Sequence, residues 1–390
     1  MSTVIVSYAR TPFVKFNGQF ATVPATELGA AAIRAALSRA GLTGEDVEFV
    51  HAGQVLQGGA GQNPARQSAV AAGIPFSVPA LTLNAVCLSG TEAIVSGVRL
   101  IDAGEADIIV AVGQESMTLA PHAWSGSRAG QRYGAIELID TMDHDGLTDA
   151  FEHRSMGAST EERNPGLSID RADQDGWAAG SHQRLAASAD FLAGEIEPFS
   201  VPGRKGPTVV SADDGLRADT TVETLGGLRP AFSPDGTITA GNSSQITDGA
   251  AAVVLMSEAA AAARGIKPLA RVLAHAFVAG PDVSLHAQPS NAIRAALAKT
   301  PHTVSELRAV EINEAFAAVA VHSTRQLGVD PAIVNAHGGA IALGHPVGAS
   351  GTRIVGHLAR RLAAEGPGLI GATGICGGGG QGSAIILQSV

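Results

Sequence analysis

One order of strand and helix signals occurs twice in this chain, once towards each end, and that repeat restricts the fold more than any other feature. In the first run, residues 4–8 read as a strand and residues 25–40 as a helix stopped by Gly41. Residues 47–55 read as a strand. Asn63-Pro64 is an N-cap with proline at the first helical position, opening a helix that ends at Gly73. Residues 80–86 form a strand, 89–103 a helix and 107–112 an apolar strand. The second run predicts helices over 290–298, 314–327 and 350–364, with strands over 308–312, 333–336, 369–375 and 383–387. The match is one of element order and length, which predicts two duplicated α/β halves layered around buried sheet.

Between the runs lies a segment rich in turns and charges, including Glu161-Glu162-Arg163 and Pro202-Gly-Arg-Lys-Gly-Pro207. It reads as a large insertion forming a lid or substrate surface. Residues 1–117 with 250–270 are expected to form the N-terminal half, 118–249 the inserted loop domain, and 271–390 the C-terminal half.

Composition narrows the function. Charged residues make up 16% of the 390, against about 25% in an average domain, and mean hydropathy is positive. Such a surface predicts large subunit interfaces and hence an oligomer. The net charge of −10 and the lack of a basic run argue against nucleic acid. Arg204-Lys205, Arg217 and Arg229 can still supply a local patch for an anionic substrate. Two cysteines make no disulfide framework. With no basic leader and no apolar run of spanning length, the expectation is a soluble cytoplasmic protein without a membrane partner.

Cys87 stands where the strand over 80–86 hands over to a helix, so the free amides and positive dipole end of that helix lie beside it. A thiol there is expected to ionise below its free value of about 8.5, and the same amides can hold a carbonyl oxygen under attack. The alternative is a buried cysteine acting as a small hydrophobe. His345 lies between Gly344 and Pro346; proline biases it away from helix, and the neighbouring glycines let other backbone come close. It can take the Cys87 proton, or be an ordinary loop histidine, the reading given to His337. Cys376 ends a strand against four glycines, as a second acid/base or an inert thiol.

Two other readings fail. Gly377-Gly-Gly-Gly-Gln-Gly382 fits the spacing of a dinucleotide loop, but a strand and the end of the sequence follow where a helix is required. No Cys-x-x-Cys or His-Glu-x-x-His spacing occurs, so no metal is expected. His51, His122, His144, His153 and His182 are scattered and read as surface or structural.

Asn84-Ala-Val-Cys87-Leu-Ser-Gly90, Gln114-Glu-Ser-Met117, Ala240-Gly-Asn-Ser-Ser244, Asn313-Glu-Ala-Phe316-Ala-Ala, residues 335–351 and residues 376–382 together resemble the thiolases. The resemblance runs from Tyr8-Ala-Arg-Thr-Pro12 to the last residue, and is strongest to the acetyl-CoA acetyltransferase group. It implies a duplicated, layered αβαβα thiolase fold with an inserted loop domain, usually as a homotetramer. It further implies that Cys87 carries the acyl group, that His345 activates Cys87, and that Cys376 moves the proton at the α-carbon. Asn313 would hold a water that with His345 forms one oxyanion hole, and the amides of Cys87 and Gly378 would form the other. Ser244, Arg217 and Phe232 fall at coenzyme A contacts, and Met156 and Phe316 at pocket-lining positions. Coenzyme A and acyl-CoA are then substrates, with no further cofactor.

Two departures stand out. The biosynthetic thiolases place a coenzyme-contacting histidine where Ser155 stands here, and Leu285-His-Ala-Gln-Pro289 replaces a Gly-Pro-rich segment. Both bear on chain length and leave Cys87, His345, Cys376 and Asn313 untouched, and the activity the resemblance implies is Claisen condensation of two acetyl-CoA molecules, or thiolytic cleavage of acetoacetyl-CoA, by way of an acyl-Cys87 intermediate. A broader 3-ketoacyl-CoA thiolase of fatty-acid breakdown is the first alternative. A non-catalytic acyl-CoA-binding protein is the alternative from another class.

Overall fold

The structure is a computed structural model describing residues 2–390. The first half contains β1 (Thr3–Arg10), α1 (Ala25–Ala40), β2 (Phe49–Gly53), α2 (Pro64–Ala71), β3 (Ala80–Leu83), α3 (Ser89–Ala103) and β4 (Ile108–Glu115). An intervening segment carries α4 (Met156–Arg163) and α5 (Arg171–Ala187), after which β5 (Thr247–Ser257) returns to the first sheet. The second half contains β6 (Ala270–Ala279), α6 (Gln288–Leu297), β7 (Leu307–Ile312), α7 (Ala317–Leu327), α8 (Val347–Glu365), β8 (Ile370–Gly377) and β9 (Gln381–Ser389).

Strand pairing makes the duplication explicit. In the first half β1 pairs antiparallel with β5, β5 antiparallel with β4, and β4, β2 and β3 run parallel. In the second, β6 pairs antiparallel with β9, β9 antiparallel with β8, and β8 and β7 run parallel. A parallel bridge from Val310 to Val334 takes the place of β3. The halves meet where β1 pairs antiparallel with β6, Val4 opposite Arg271 and Ile5 opposite Ala270.

Side chains alternate across each strand, and the core divides accordingly. Val4, Ile108, Val110 and Val254 face α1 in an outer cluster. Ile5, Ile109, Val253, Ile375 and Ile385 face inward to a central cluster with residues of α3 and α8. Ala292 and Ile293 of α6 pack on Ala372 and Ile386 in the other outer cluster. The result is five layers, helix–sheet–helix–sheet–helix, with α3 and α8 in the middle.

Those two central helices start against each other. A Cβ on Gly90 would lie 2.7 Å from the Thr352 nitrogen, and one on Gly351 2.3 Å from the Thr91 nitrogen, so neither position tolerates a side chain. Thr352 Oγ1 donates to the Gly90 carbonyl at 3.0 Å across this contact. The intervening segment is tied down by buried charge: Arg10 of β1 pairs with Asp213 through both terminal guanidinium nitrogens (2.6 and 2.8 Å) and with Glu195 at 3.2 Å. His357 of α8 also bonds Glu195.

Some elements differ from expectation. The expected strand over 333–336 is a short 3-10 turn followed by the single Val334 bridge. The helix expected from Glu314 starts at Ala317, because Phe316, its N-cap, is extended. Helix α8 starts three residues before the expected Ser350, with Pro346 as its N-cap, since proline at that boundary needs no helical N–H partner.

Candidate active site

Cys87 sits on a constrained turn between β3 and α3. Val86 has φ +52°, a conformation costly for a β-branched residue. Its neighbours clamp it: the Val86 N–H donates to Asn84 Oδ1 at 2.9 Å, while Ser89 Oγ accepts from the Ala85 N–H at 2.9 Å and donates to the Val86 carbonyl at 2.6 Å. The Asn84–Gly90 motif thus encodes two clamps, the turn and a helix start that can meet α8.

The Cys87 sulfur receives the N–H groups of Cys87 itself and of Gly378, yet burial outweighs them and pushes the thiol up to about 12. This corrects the sequence-based expectation of a thiol ionising below about 8.5. The amides are present, but the desolvation of a thiolate at the foot of a cavity, where Cys87 is only partly exposed, is the larger effect. Cys87 therefore rests as a neutral thiol and needs a base. Cys376, at the end of β8, is pushed up too, by burial first and by the proximity of Cys87 second.

His345 precedes α8 as Cys87 precedes α3, each two residues before the first helical residue. Ser350 Oγ donates to the Pro346 carbonyl at 3.1 Å and lies 2.5 Å from His345 Nδ1. Both contacts are met when the hydroxyl donates to Pro346 and accepts from Nδ1–H; the tautomer assigned on that basis leaves Nε2 unprotonated to face the Asn313 amide. Asn313 Nδ2 faces Nε2 at 3.4 Å, and Asn313 Oδ1 is buried without a partner. Burial, with Arg353 adding to it, pushes His345 down to about 3, so the imidazole is neutral near pH 7.

Cys87, His345, Cys376 and Gly378 line one cavity of about 280 Å³. Ser244, Phe232, Met156 and Phe316 line it as well, and so does Ser155, whose hydroxyl accepts from the Ala158 N–H to cap α4. Asn313 reaches the cavity group only through His345. Arg217 is the exception: it is exposed, outside the cavity lining, and its backbone N–H donates to His182 Nδ1 at 3.2 Å. Met117, Leu147 and Ile246 add apolar wall that sequence reasoning did not single out. Ser350 was also missed; a hydroxyl five residues after a histidine carries no signal until helix α8 brings it under the ring.

Other expected roles resolve simply. His337 stacks on Phe191 and contacts His357 Nε2 at 3.2 Å. Glu314, beside Asn313, accepts from Trp177 Nε1, Ser181 Oγ, Asn335 Nδ2 and the Ile341 N–H, joining α5 to the second half. Among the described residues no cluster of three or more His, Cys, Asp or Glu side chains is placed to hold a metal ion. Nor is any helix among them long and apolar enough to cross a membrane.

Comparison with known proteins agrees with this architecture. The sequence model of the thiolase N-terminal domain matches residues 3–259, and that of the thiolase C-terminal domain residues 266–389. The chain is 53% identical over 388 residues to a protein of Mycolicibacterium smegmatis named probable acetyl-CoA acetyltransferase, covering 99% of this chain and 100% of that one. It is 46% identical over 391 residues to the acetyl-CoA acetyltransferase of Pseudomonas aeruginosa, covering 98% of each. With that of Shinella zoogloeoides it shares 45% identity over 394 residues, covering 100% of both. Two domain matches spanning the two layered halves, with two cysteines and a histidine meeting between them, make this chain a member of the thiolase family.

Proposed function

We propose that this chain is an acetyl-CoA C-acetyltransferase, cleaving acetoacetyl-CoA with coenzyme A or condensing two acetyl-CoA molecules through an acyl-Cys87 intermediate. One observation carries the reading: the neutral thiol of Cys87, the unprotonated Nε2 of His345 and the thiol of Cys376 line one cavity, with the Gly378 N–H at the Cys87 sulfur.

In the cleavage direction Cys87 attacks the 3-keto carbon as His345 Nε2 takes its proton. The developing oxyanion is received by the N–H groups of Cys87 and Gly378, each such donor being worth roughly 3 kcal/mol of barrier. The C2–C3 bond breaks, leaving the acetyl group on sulfur and a carbanion on acetyl-CoA. Asn313 Oδ1, through a water, and protonated His345 stabilise its enolate oxygen. Cys376, a neutral thiol because it is buried, protonates the carbon and becomes the thiolate. That thiolate takes the proton of incoming coenzyme A, whose sulfur attacks the acetyl carbonyl, and Cys87 leaves with the proton His345 holds. Condensation is the reverse sequence. Coenzyme A and acyl-CoA are the only partners the chemistry requires; no metal or further cofactor takes part.

Ser244, Phe232, Met156 and Phe316 receive the pantetheine arm and acyl group, and Arg217 meets the charged end of coenzyme A outside the cavity. A homotetramer fits two exposed features: Tyr133, Ile136 and Leu138 on the intervening segment, and the edge strand β3 with Leu81 and nearby Phe76. The setting is cytoplasmic fatty-acid metabolism. A broader 3-ketoacyl-CoA thiolase is the second reading, favoured by a depression between Phe151 and Gly379 that shares Val86, Gly146, Met156 and Gly378 with the cavity.

Mixing with acetoacetyl-CoA, followed by mass spectrometry, is expected to show an acetyl adduct on Cys87 that Cys87→Ala lacks. Undiminished turnover in Cys87→Ala would end the proposal. A panel of 3-ketoacyl-CoA chain lengths separates the two readings; rates rising with length select the second.

A further inference from the structure

The duplication sets residues of the first half opposite catalytic positions of the second. Cys87 and His345 are one such pair. The ends of β4 and β8 are another: β4 ends at Glu115, opposite Gly249, while β8 ends with Cys376 and Gly377, opposite Gly382 and Gln381. The two eight-residue strands match position for position, so Glu115 stands in the place of Gly377, next to Cys376: the first half has a carboxylate where the second has no side chain. Glu115 is fully buried, and the mechanism above does not use it.

Its hydrogen bonds cross between the halves. Glu115 Oε2 accepts from the Gly348 N–H and the Val55 N–H, both at 2.9 Å, and Oε1 accepts from the Leu56 N–H at 3.1 Å. Gly348 is the second residue of α8, whose N-cap, Pro346, has no side-chain group to offer. The first turn of that helix would otherwise keep free amides in a buried place. The carboxylate at the end of β4 therefore caps the helix that follows His345. The fit is close: a Cβ on Gly348 would lie 2.8 Å from Glu115 Oε2 and 2.9 Å from the Gln54 Cα. Val55 and Leu56, held by the same carboxylate, pack with Val347, Met117 and Cys87 in one apolar cluster.

We propose that Glu115 is a positioning residue for acyl transfer: it locks the Pro346–Gly348 start of α8 onto the first half and so holds His345 in register with Cys87. A chain of contacts results, running from Glu115 through the helix start to His345 on one side and through the Val55–Leu56 wall to Cys87 on the other. Burial pushes Glu115 up to about 7 while its three amide donors pull it down. The titratable groups that face it are Cys87 before α3 and Asp248 on β5. Its negative charge opposes that of a Cys87 thiolate, so the residue acts on geometry at some cost to thiol acidity. The inference rests on the acyl-transfer reading given above.

The test replaces Glu115 by Gln, which keeps the shape but turns an NH2 group on one set of amide donors, and by Asp, which keeps the charge but falls one carbon short. Thiolysis kinetics and the rate of iodoacetamide labelling of Cys87, assigned by mass spectrometry, are measured on each. Glu115→Gln is expected to lower kcat at least 30-fold and to slow Cys87 labelling with it, since the thiol depends on His345 to ionise, with KM for acetoacetyl-CoA within threefold. Glu115→Asp is expected to lower kcat at least 10-fold with labelling slowed in the same way, and it decides the matter if the Gln protein does not fold. Retention of kcat within threefold in either folded variant overturns the proposal, as does a fall in kcat with labelling unchanged, which would leave the Cys87–His345 pair intact, or a loss carried by KM, the mark of a collapsed cavity. An acetyl adduct on wild-type Cys87 is the separate control. If wild type forms none, the acyl-transfer reading fails; if it forms one and the variants turn over normally, only the role of Glu115 fails.

Discussion

Removing the Ser350 hydroxyl should cripple turnover while leaving substrate binding intact. Ser350 is buried, does not line the cavity, and touches the reaction only through His345. Its hydroxyl proton goes to the Pro346 carbonyl, so its oxygen accepts from Nδ1–H and leaves Nε2 free as the base. In Ser350→Ala the Nδ1–H has two outcomes. It stays buried without an acceptor, costing about 1–3 kcal/mol. Otherwise the proton moves to Nε2, the nitrogen that has to take one from Cys87, at a similar cost. Because Cys87 is pushed up to about 12 and cannot ionise unaided near neutrality, this loss passes straight into the barrier. One to three kcal/mol corresponds to roughly a 5- to 150-fold fall in kcat. The assay is steady-state thiolysis of acetoacetyl-CoA. KM is expected to stay within threefold, as the cavity wall is unchanged. A kcat within twofold of wild type, or a loss confined to KM, would refute the tautomer argument.

Three further outcomes follow from the structure. Cys376→Ala should still acquire an acetyl group on Cys87 from acetyl-CoA, but lose thiolysis and the exchange of acetyl-CoA methyl protons with D2O; NMR of the methyl signal reads this, and persistent exchange contradicts the role given to Cys376. Glu314→Gln places an NH2 group among four buried donors, so the urea midpoint should fall by the equivalent of about 2–4 kcal/mol; a shift below about 1 kcal/mol contradicts the account. His51 is buried with neither ring nitrogen partnered, and burial pushes it down to about 4 from 6.5. As pH falls below about 6.5 the unfolded chain binds the proton first, so stability is full above that value and is lost towards pH 4. His51→Leu should therefore gain about 2 kcal/mol more over wild type at pH 5 than at pH 8, and thermal melts with equal gains at both values would exclude this.

Much of the site could be read along the chain because its pieces are local. Cys87 at a strand-to-helix turn, His345 between glycine and proline, and Cys376 before four glycines each carry a signal within a few residues. The same holds for most of the helices and strands, whose periodicity records which face is buried. The second half lost two boundaries, at residues 314 and 333, where long-range contacts override local preference. The Glu314 carboxylate is held by four donors from distant segments, and Asn335 bonds both backbone groups of Ile312 in place of a longer strand.

Taken alone, the sequence determined that the chain is a duplicated α/β protein and singled out the two thiols and the imidazole that the fold brings to one cavity. It could not determine the protonation states. Those depend on how deeply each group is buried, and burial arises only when α3 and α8 meet through Gly90 and Gly351 between two sheets. Burial there turns an expected thiolate into a neutral thiol, while the winding of α8 sets Ser350 under His345. The contact also carries a carboxylate from one half to the helix start of the other. Desolvation and hydrogen-bond partners are sums over neighbours far apart in the chain, and only the folded molecule sets those sums.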